Sequence, residues 1–400
     1  MASQFSTQQW ISINKHFNNF ASRYDFPERR DDSVLLATFN IRKLGKKENR
    51  SIQSWAFLKK VLLQFDLIAV QEVMDDLSGF EFLVSSLGDD YGMVVSDVTG
   101  AKPGSSGNTE RLGFIFNWRR IERTALASDI TYDRSEIARN LYEHQSDFNN
   151  AWLKYTQKLK KWEQKVIENK AAGKRAPAKP ALELPRFVSF IRQPHCVSFR
   201  IKAKNNAVPF EFLVINAHLL YGKNKIEREW EFRALLEWLT IRAKYIDKLY
   251  HPNLLLLGDC NLDFDNINIM REEVDAFLKS LNKTVLKSRK AATANFPLLT
   301  PHPQKGILVT ALRQKQTYDQ IGLFAHDKRL PDPDDNDTAG QTSGSYDYGV
   351  FNMANLIANA LFDRDITDVT SAQKKEIYKK SEFDISDHMP AWMRLKIPGL

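Results

Sequence analysis

The stretch Leu254-Leu255-Leu256-Leu257-Gly258-Asp259-Cys260-Asn261 decides how this 400-residue chain is read. Four consecutive leucines closed by Gly-Asp have the continuous apolarity of a strand buried on both faces. Asp259 and Asn261 then put two polar side chains at the strand's carboxyl end, and period-two alternation points both to one side. In layered α/β proteins ligands bind beyond such ends. Asp and Asn also favour turns, because their side chains bond nearby backbone N–H groups. The motif alone therefore also reads as a capped turn, and the other segments have to decide.

Outward from this motif, the same design recurs. Val34–Phe39 delivers Asn40, Leu67–Val70 delivers Glu72, and Glu110 precedes the apolar run Arg111–Phe116. Phe210–Asn216 ends at His218, Thr317–Ile321 carries Asp319, and Asp387-His388 precede the final strand Ala391–Ile397. Each residue alone could cap a turn or satisfy a core hydrogen bond, but seven recurrences with one polarity are hard to obtain by chance. The set lacks Cys₂His₂-type spacing, so a structural zinc site is not indicated. Its carboxylates and amides are oxygen ligands suited to Mg²⁺, Mn²⁺ or Ca²⁺. Its two histidines can move protons near neutral pH. A hard cation, imidazoles and amides together suit hydrolysis of a phosphate ester.

Between these strands the spacing predicts a helical preamble over 1–32 and helices near 51–65, 78–87, 226–248, 270–281 and 350–362. Tyr91–Val95, Phe187–Ile191 and Cys196–Lys202 read as strands. The acidic, Gly- and Ser-containing segment 331–349 reads as mobile.

The composition is that of a globular protein, with 43% hydrophobic and 26% charged residues. Two cysteines, Cys196 and Cys260, are too few for a disulfide framework and point to reduced thiols in a reducing, cytoplasmic compartment. Residues 1–30 lack a basic segment followed by a long apolar run, so no signal peptide is read, and no run reaches membrane-spanning length. The net charge of +8 is concentrated: residues 151–180 hold nine Lys/Arg against Glu163 and Glu168, leaving the remainder near neutral. In that region Ile137, Leu141, His144, Phe148, Trp152, Tyr155, Leu159, Trp162 and Val166 recur at near-heptad spacing, which predicts one helix of roughly 30 residues, about 45 Å long. Gly173 and the prolines up to Pro185 return the chain. The region 134–185 is thus a basic helical insertion. Its aromatic stripe packs on the body with solvated lysines, or binds a protein partner or a second copy through residues 137–166, or contacts nucleic acid.

Taken together, Thr38-Phe39-Asn40-Ile41-Arg42, Val70-Gln71-Glu72-Val73, Asn216-Ala217-His218-Leu219, Gly258-Asp259-Cys260-Asn261, Tyr318-Asp319-Gln320-Ile321 and Ser386-Asp387-His388-Met389-Pro390 resemble the endonuclease/exonuclease/phosphatase superfamily in order and spacing over residues 33–398, the basic insertion apart. Glu110-Arg111 before a strand and Arg192-Gln193-Pro194 are similar to segments of the deoxyribonuclease I branch. The resemblance implies a four-layer α/β sandwich of two packed mixed sheets with helices outside. It implies Glu72 as the main Mg²⁺ ligand with Asn40 and Asp387 nearby, and His218 and His388 flanking the scissile phosphate. Glu110 would orient His218 and Asp319 would orient His388, fixing each tautomer and raising its basicity. Asp259 and Asn261 would position or activate water and bind the phosphate, either an Asp or a His serving as base, and Arg192 would contact a substrate phosphate.

Three departures bear on substrate. Where the deoxyribonuclease I branch has an Arg after its Gln-Glu-Val segment, this chain has Met74; where it has a groove-stacking aromatic before Glu110, this chain has Asn108; and Cys260 stands for the usual aromatic of the central motif. The first two remove contacts to duplex DNA and spare the metal and histidines. The expectation is a Mg²⁺-dependent phosphodiesterase, an endonuclease with DNA as its nucleic-acid partner. The alternatives are a hydrolase of a small, lipid or sugar phosphate, and an interaction protein using the basic arm.

Overall fold

The computed structural model describes residues 3–98, 109–221, 225–244, 250–262, 293–342 and 345–400, with positions 276, 279, 280 and 283 between them. Asn108 and most of the helix expected near 270–281 lie outside the described residues.

Among the described residues twelve strands form two six-stranded mixed sheets. The first comprises β1 (Ser33–Leu44), β2 (Leu67–Val73), β3 (Tyr91–Val95), β4 (Arg111–Asn117), β11 (Asp347–Val350) and β12 (Ala391–Lys396), in the order β11-β12-β1-β2-β4-β3. The second comprises β5 (Ile121–Asp129), β6 (His195–Ile201), β7 (Phe210–His218), β8 (Leu254–Asp259), β9 (Thr293–Asn295) and β10 (Asp319–Ala325), in the order β5-β6-β7-β8-β10-β9. Each sheet has one parallel pair at its centre, β1 with β2 and β7 with β8, and the remaining pairs are antiparallel.

Alternation along the strands builds the layers. On β8, Leu255 and Leu257 join the core between the sheets, whereas Leu254 and Leu256 face the opposite way and join Phe232, Leu235, Leu236 and Leu239 of α6 (Lys225–Lys244). On β7, Phe212 and Val214 point between the sheets and Leu213 and Ile215 toward α6. The outer face of the first sheet is covered by α1 (Thr7–Phe20), α2 (Ile52–Leu62), α3 (Ser78–Leu87) and α7 (Met353–Phe362), whose Trp10, Ile13, Phe57, Phe80 and Ile357 are buried in the same core. With α4 (Arg134–Glu143), α5 (Gln145–Ala171) and α8 (Ser371–Asp384) this gives eight α-helices among the described residues. The expected four-layer sandwich is the architecture observed.

A buried polar contact fixes the sheets against each other. The Gln71 amide donates to Asn216 Oδ1 at 2.7 Å, and Asn216 Nδ2 donates to the carbonyls of Val70 (3.1 Å) and Gly113 (2.8 Å). Satisfied amides in a low-dielectric interior specify one register, because any slip strands their hydrogen-bonding groups.

Several local expectations are corrected. The long seam helix is two helices: His144 adopts φ −117° and ψ 29°, ends α4, and accepts from the N–H groups of Asp147 and Phe148 at the start of α5. Of the seam, Phe148 and Tyr155 are buried, while Leu141 and Trp152 are 45% and 46% exposed. The return segment lies along α5, where the Trp162 indole donates to the Pro177 carbonyl at 2.9 Å. Phe187–Ile191 is not a strand; its rings cluster with Tyr132 and the Ile191 N–H is bonded to Glu231. Segment 331–349 holds a 3₁₀ turn (Asp334–Thr338) and leads into β11, with Asn336 buried and bonded to Asn295. The polar strand β5 and the helix α8 were not read from the sequence, because neither carries a clear apolar periodicity.

Candidate active site

The inner faces of both sheets end in polar side chains at one edge of the sandwich. Leu255, Leu257 and Asp259 share one face of β8; Val214, Asn216 and His218 share one face of β7; Ile321 and Asp319 share one face of β10. The apolar core thus becomes a polar cleft by continuation of the pleat. The cleft, of about 520 Å³, is lined by Arg42, Lys43, Glu72, Glu110, Arg192, His218, Tyr221, Asp259, Asn261, Arg313, Tyr318, Glu382, Asp387 and His388 among others.

Gly258 permits the approach of β8 to β7 immediately before Asp259. A Cβ there would lie 2.2 Å from the Ala217 carbonyl oxygen, so any side chain would force the strands apart.

The centre of the site is the Asp259 carboxylate, which is 1% exposed. Its Oδ2 is 3.6 Å from His218 Nε2 and 3.6 Å from His388 Nε2, and it accepts from Asn40 Nδ2 at 3.0 Å. Each imidazole has a carboxylate behind it. His388 Nδ1 is 2.8 Å from Asp319 Oδ2, and His218 Nδ1 is 3.2 Å from Glu110 Oε2. Burial alone would raise the Asp259 pKa, but the two imidazoles, Asn40 and the Asn261 N–H outweigh it and hold it below the usual carboxylate range. Burial would lower His388; the Asp319 and Asp259 carboxylates on either side outweigh it and hold the imidazole well above its ordinary range. Glu110 is likewise pulled down against burial, to about 2, by His218 and Arg192.

Asn261 reaches the cleft by a different route from the one its spacing suggests. β8 ends at Asp259, and Asn261 is left-handed at φ 48°. Its N–H donates to Asp259 Oδ1 at 2.9 Å and its Nδ2 to the Leu219 carbonyl at 2.9 Å. The capped turn and the functional arrangement are one structure: the turn is what brings Asn261 beside Asp259.

Glu72, Asn40 and Asp387 form the second part of the site. Asn40 Nδ2 donates to Glu72 Oε1 at 3.2 Å, and Glu72 Oε2 accepts from the Lys43 N–H at 2.9 Å. Asn40 Oδ1 and Asp387 Oδ1 are both buried and have no hydrogen-bond donor. Two orphaned hard oxygens beside a glutamate fit a divalent cation such as Mg²⁺, Mn²⁺ or Ca²⁺. Asp259, Asp319 and His388 also come within 4.8 Å of one another at their ligating atoms. His388 Nδ1 is engaged by Asp319 and Asp259 by Asn40 and Asn261, so this trio reads first as an ion-paired set, although Asp319 Oδ1 is buried with no hydrogen-bond partner among the described residues.

Arg192 lines the cleft with an 11% exposed side chain. Its Nε lies 2.5 Å from Glu110 Oε2, and its Nη1 donates to the carbonyls of His218 (3.2 Å) and Leu219 (3.3 Å). It therefore braces the His218 segment as well as facing the cleft.

The last loop is pinned from below. Ser386 Oγ donates to the Asn40 carbonyl at 2.6 Å and accepts from the N–H groups of Arg42 and His388, both at 3.2 Å. The buried Arg50 guanidinium, pushed down to about 10 by burial, donates to the carbonyls of Asp384 (3.0 Å), Ile385 (2.8 Å) and Arg42. Arg50, Arg313 and Glu382 were not singled out in the sequence; each sits away from a strand end, and no local pattern marks it. Tyr221, 73% exposed at the rim, carries no sequence signal either.

No family model matches the chain, and no curated protein matches it by sequence. Solved structures similar to it include an endonuclease/exonuclease/phosphatase family protein from Bacteroides thetaiotaomicron, at 13% identity over 92% of this chain and 99% of that one with a TM-score of 0.43. TDP2 of D. rerio, complexed with a single-strand DNA product, is similar at 11% identity over 92% and 100%, TM-score 0.45. ANGEL2, a 2′,3′-cyclic phosphatase, is similar at 12% identity over 92% and 95%, TM-score 0.45. No helix among the described residues is long and apolar enough to cross a membrane.

Proposed function

We propose that the chain is a divalent-metal-dependent phosphodiesterase of the endonuclease/exonuclease/phosphatase type that cuts internal bonds of DNA. One observation carries the reading: two imidazoles, each backed by a carboxylate, converge with their Nε2 atoms on one oxygen of a buried, ionised Asp259. A site of this kind can grip an anionic tetrahedral group between two imidazole donors while keeping a base beside it.

Glu72, Asn40 and Asp387 would hold the Mg²⁺, whose charge offsets that on the phosphoryl oxygens. The chain's own groups do the rest. Asp259, ionised and fixed by Asn40, takes a proton from water as the water oxygen bonds to phosphorus. Asn261 orients that water. His388, kept protonated between Asp319 and Asp259, donates to a non-bridging oxygen. His218, oriented by Glu110, passes the proton at Nε2 to the departing oxygen as the P–O bond breaks. Arg192 braces Glu110 and faces a substrate phosphate.

Nicking of supercoiled plasmid in Mg²⁺, with EDTA and His388→Ala as controls, tests the proposal. Metal-dependent nicking lost in the variant is the expected result. A second reading, hydrolysis of a small phosphate ester, is favoured by Met74, which is packed beside Gly45 where the DNA-cutting branch carries an Arg. Hydrolysis of bis-p-nitrophenyl phosphate without nicking would select it. Activity on neither substrate would remove the enzymatic reading.

A further inference from the structure

The basic insertion is not used by the chemistry above, yet its residues 151–180 carry nine Lys/Arg against two Glu, +7 of the chain's net +8. The structure separates its two faces. Part of the aromatic seam is turned inward, with Phe148 and Tyr155 buried and Trp162 bonded to the returning segment, while Trp152 stays exposed. Lys154, Lys158, Lys161 and Lys165 follow at intervals of four, three and four. At 3.6 residues per turn they fall within one sector of about 60°, adjacent to the seam. All four are exposed, and Lys174 and Arg175 extend the basic surface past the end of α5. Like charges at these spacings disfavour the helix. Only Lys158 has a carboxylate partner among the described residues, Glu183 at 3.0 Å. Three uncompensated cations in one sector, kept together where they repel, with Lys174 and Arg175 beyond them, are complementary to a row of phosphates.

Between the row and the cleft lie the start of α6 and the segment 184–191. Lys154, Tyr155 and Lys158 border a groove of about 380 Å³ that is also lined by Asp147, Glu183 and, on α6, Glu227, so the cationic surface is the exposed lysine row itself and not this groove. One helical turn further along α6, Glu231 accepts from the Ile191 N–H at 2.5 Å and from the Leu220 N–H. Arg192 and Tyr221, the next residue in each case, line the cleft.

We infer that a nucleic-acid backbone docks along the lysine face of α5, so that the arm holds the substrate at a distance from the scissile bond; this rests on the phosphodiesterase reading for the identity of the ligand. The 27-residue helix is about 40 Å long. A duplex advances about 3.4 Å per base pair, so the arm alone tracks about 12 base pairs. A basic helix with the exposed Trp152 and Ile167 could also suit an anionic membrane surface. Those two side chains lie outside the lysine sector, so the face that carries the cations presents no apolar anchor for a bilayer, and a phosphate backbone suits it better.

The test is binding of fluorescent duplexes to the full chain in EDTA, for wild type and for the variant Lys154→Gln, Lys161→Gln, Lys165→Gln, Lys174→Gln, across about 50–200 mM salt. For a duplex of about 30 base pairs, the log–log salt slope should fall by about 3–4 in magnitude, and Kd at the lowest salt should rise at least tenfold. Turnover of bis-p-nitrophenyl phosphate, and binding of a duplex of about 6 base pairs, should be unchanged. An unchanged slope and Kd on the long duplex would overturn the inference. So would equal losses on long and short duplexes, or binding of the wild type to phosphatidylserine vesicles but not to DNA. The two readings fail separately. Salt-dependent binding without hydrolysis of either substrate keeps the arm's role and removes the enzymatic one. Hydrolysis of the small diester without DNA binding does the reverse.

Discussion

Glu110→Gln isolates the charge behind His218 from the shape that carries it. Glutamine keeps an acceptor oxygen for Arg192 and the volume of the side chain, and removes only the anion. Burial alone would raise the carboxyl pKa; His218 and Arg192 instead bring it from 4.5 to about 2. That difference is worth about 3 kcal/mol of folding stability. The sign follows from the depressed value: the contribution is full above pH 4.5 and is lost as pH falls through about 2, with about half remaining at pH 3. Urea unfolding of wild type and variant from pH 7 down to pH 3 should therefore show a gap of about 3 kcal/mol at neutrality that narrows on acidification. Turnover should fall about 10- to 100-fold, the cost of freeing a catalytic imidazole from its orienting carboxylate. A gap below about 1 kcal/mol that does not change with pH, together with wild-type turnover, would refute both the electrostatic account of Glu110 and its assignment behind His218.

Glu72→Ala should abolish metal-stimulated turnover and leave the urea midpoint near that of wild type, because the side chain is half-buried and bonded chiefly to Asn40 and the Lys43 N–H; retained stimulation by Mg²⁺ would move the metal elsewhere. Arg192→Ala should raise KM for DNA and also cost about 3 kcal/mol of stability, since it leaves Glu110 buried without its cation; a pure KM effect would make it a surface contact only. Arg50→Met should destabilise by about 2–4 kcal/mol, because the carbonyls of Arg42, Asp384 and Ile385 lose their donor, and should slow turnover by loosening the loop that carries Asp387 and His388. Gln71→Leu should cost about 1–3 kcal/mol by stranding Asn216 Oδ1 between the sheets, read by thermal unfolding; an unchanged midpoint would show that the amide pair does not hold the register.

The sandwich was legible because its strands are written in period two and its active edge in repeated motifs. Leu254–Leu257 announces a strand buried on both faces, and Asp259, His218 and Asp319 stand where the inner pleat meets solvent. What the sequence hid are contacts between segments far apart in the chain. Ser386 bonds to the Asn40 carbonyl across 346 residues, and Arg50 reaches Ile385 across 335. No local pattern encodes such a pair, since each partner is an ordinary polar residue until the fold brings them together. The missed elements fail for a related reason. β5 alternates half-buried with exposed positions built from Thr, Ala and Ser, and α8 starts at a Thr370–Gln373 capping box but has almost no apolar face. The helix broken at His144 shows the converse error, because heptad spacing persists across the break while the backbone does not.

Glu72 shows why a residue's identity and its placement have to be argued separately. On β2, Gln71 points between the sheets to meet Asn216. Strict alternation would send Glu72 to the outer, helix-covered face. It meets Asn40 in the cleft instead, because its φ is 59° and the β2–β4 register shifts between Val70 and Val73. A bulge of this kind re-aims one side chain at the end of a strand. The left-handed conformation costs a residue with a Cβ about 1 kcal/mol or more. Lys43, whose N–H holds Glu72, and Asn261, which turns the chain beside Asp259, are left-handed as well. Three non-glycine residues in this conformation therefore border one cleft, and two of them are side chains assigned here to the chemistry. Glycine would relieve the strain at each position but would supply neither a carboxylate nor an amide. At Glu72 and Asn261 the left-handed conformation coincides with side chains that the proposed function uses, whereas at Lys43 only the backbone N–H is engaged.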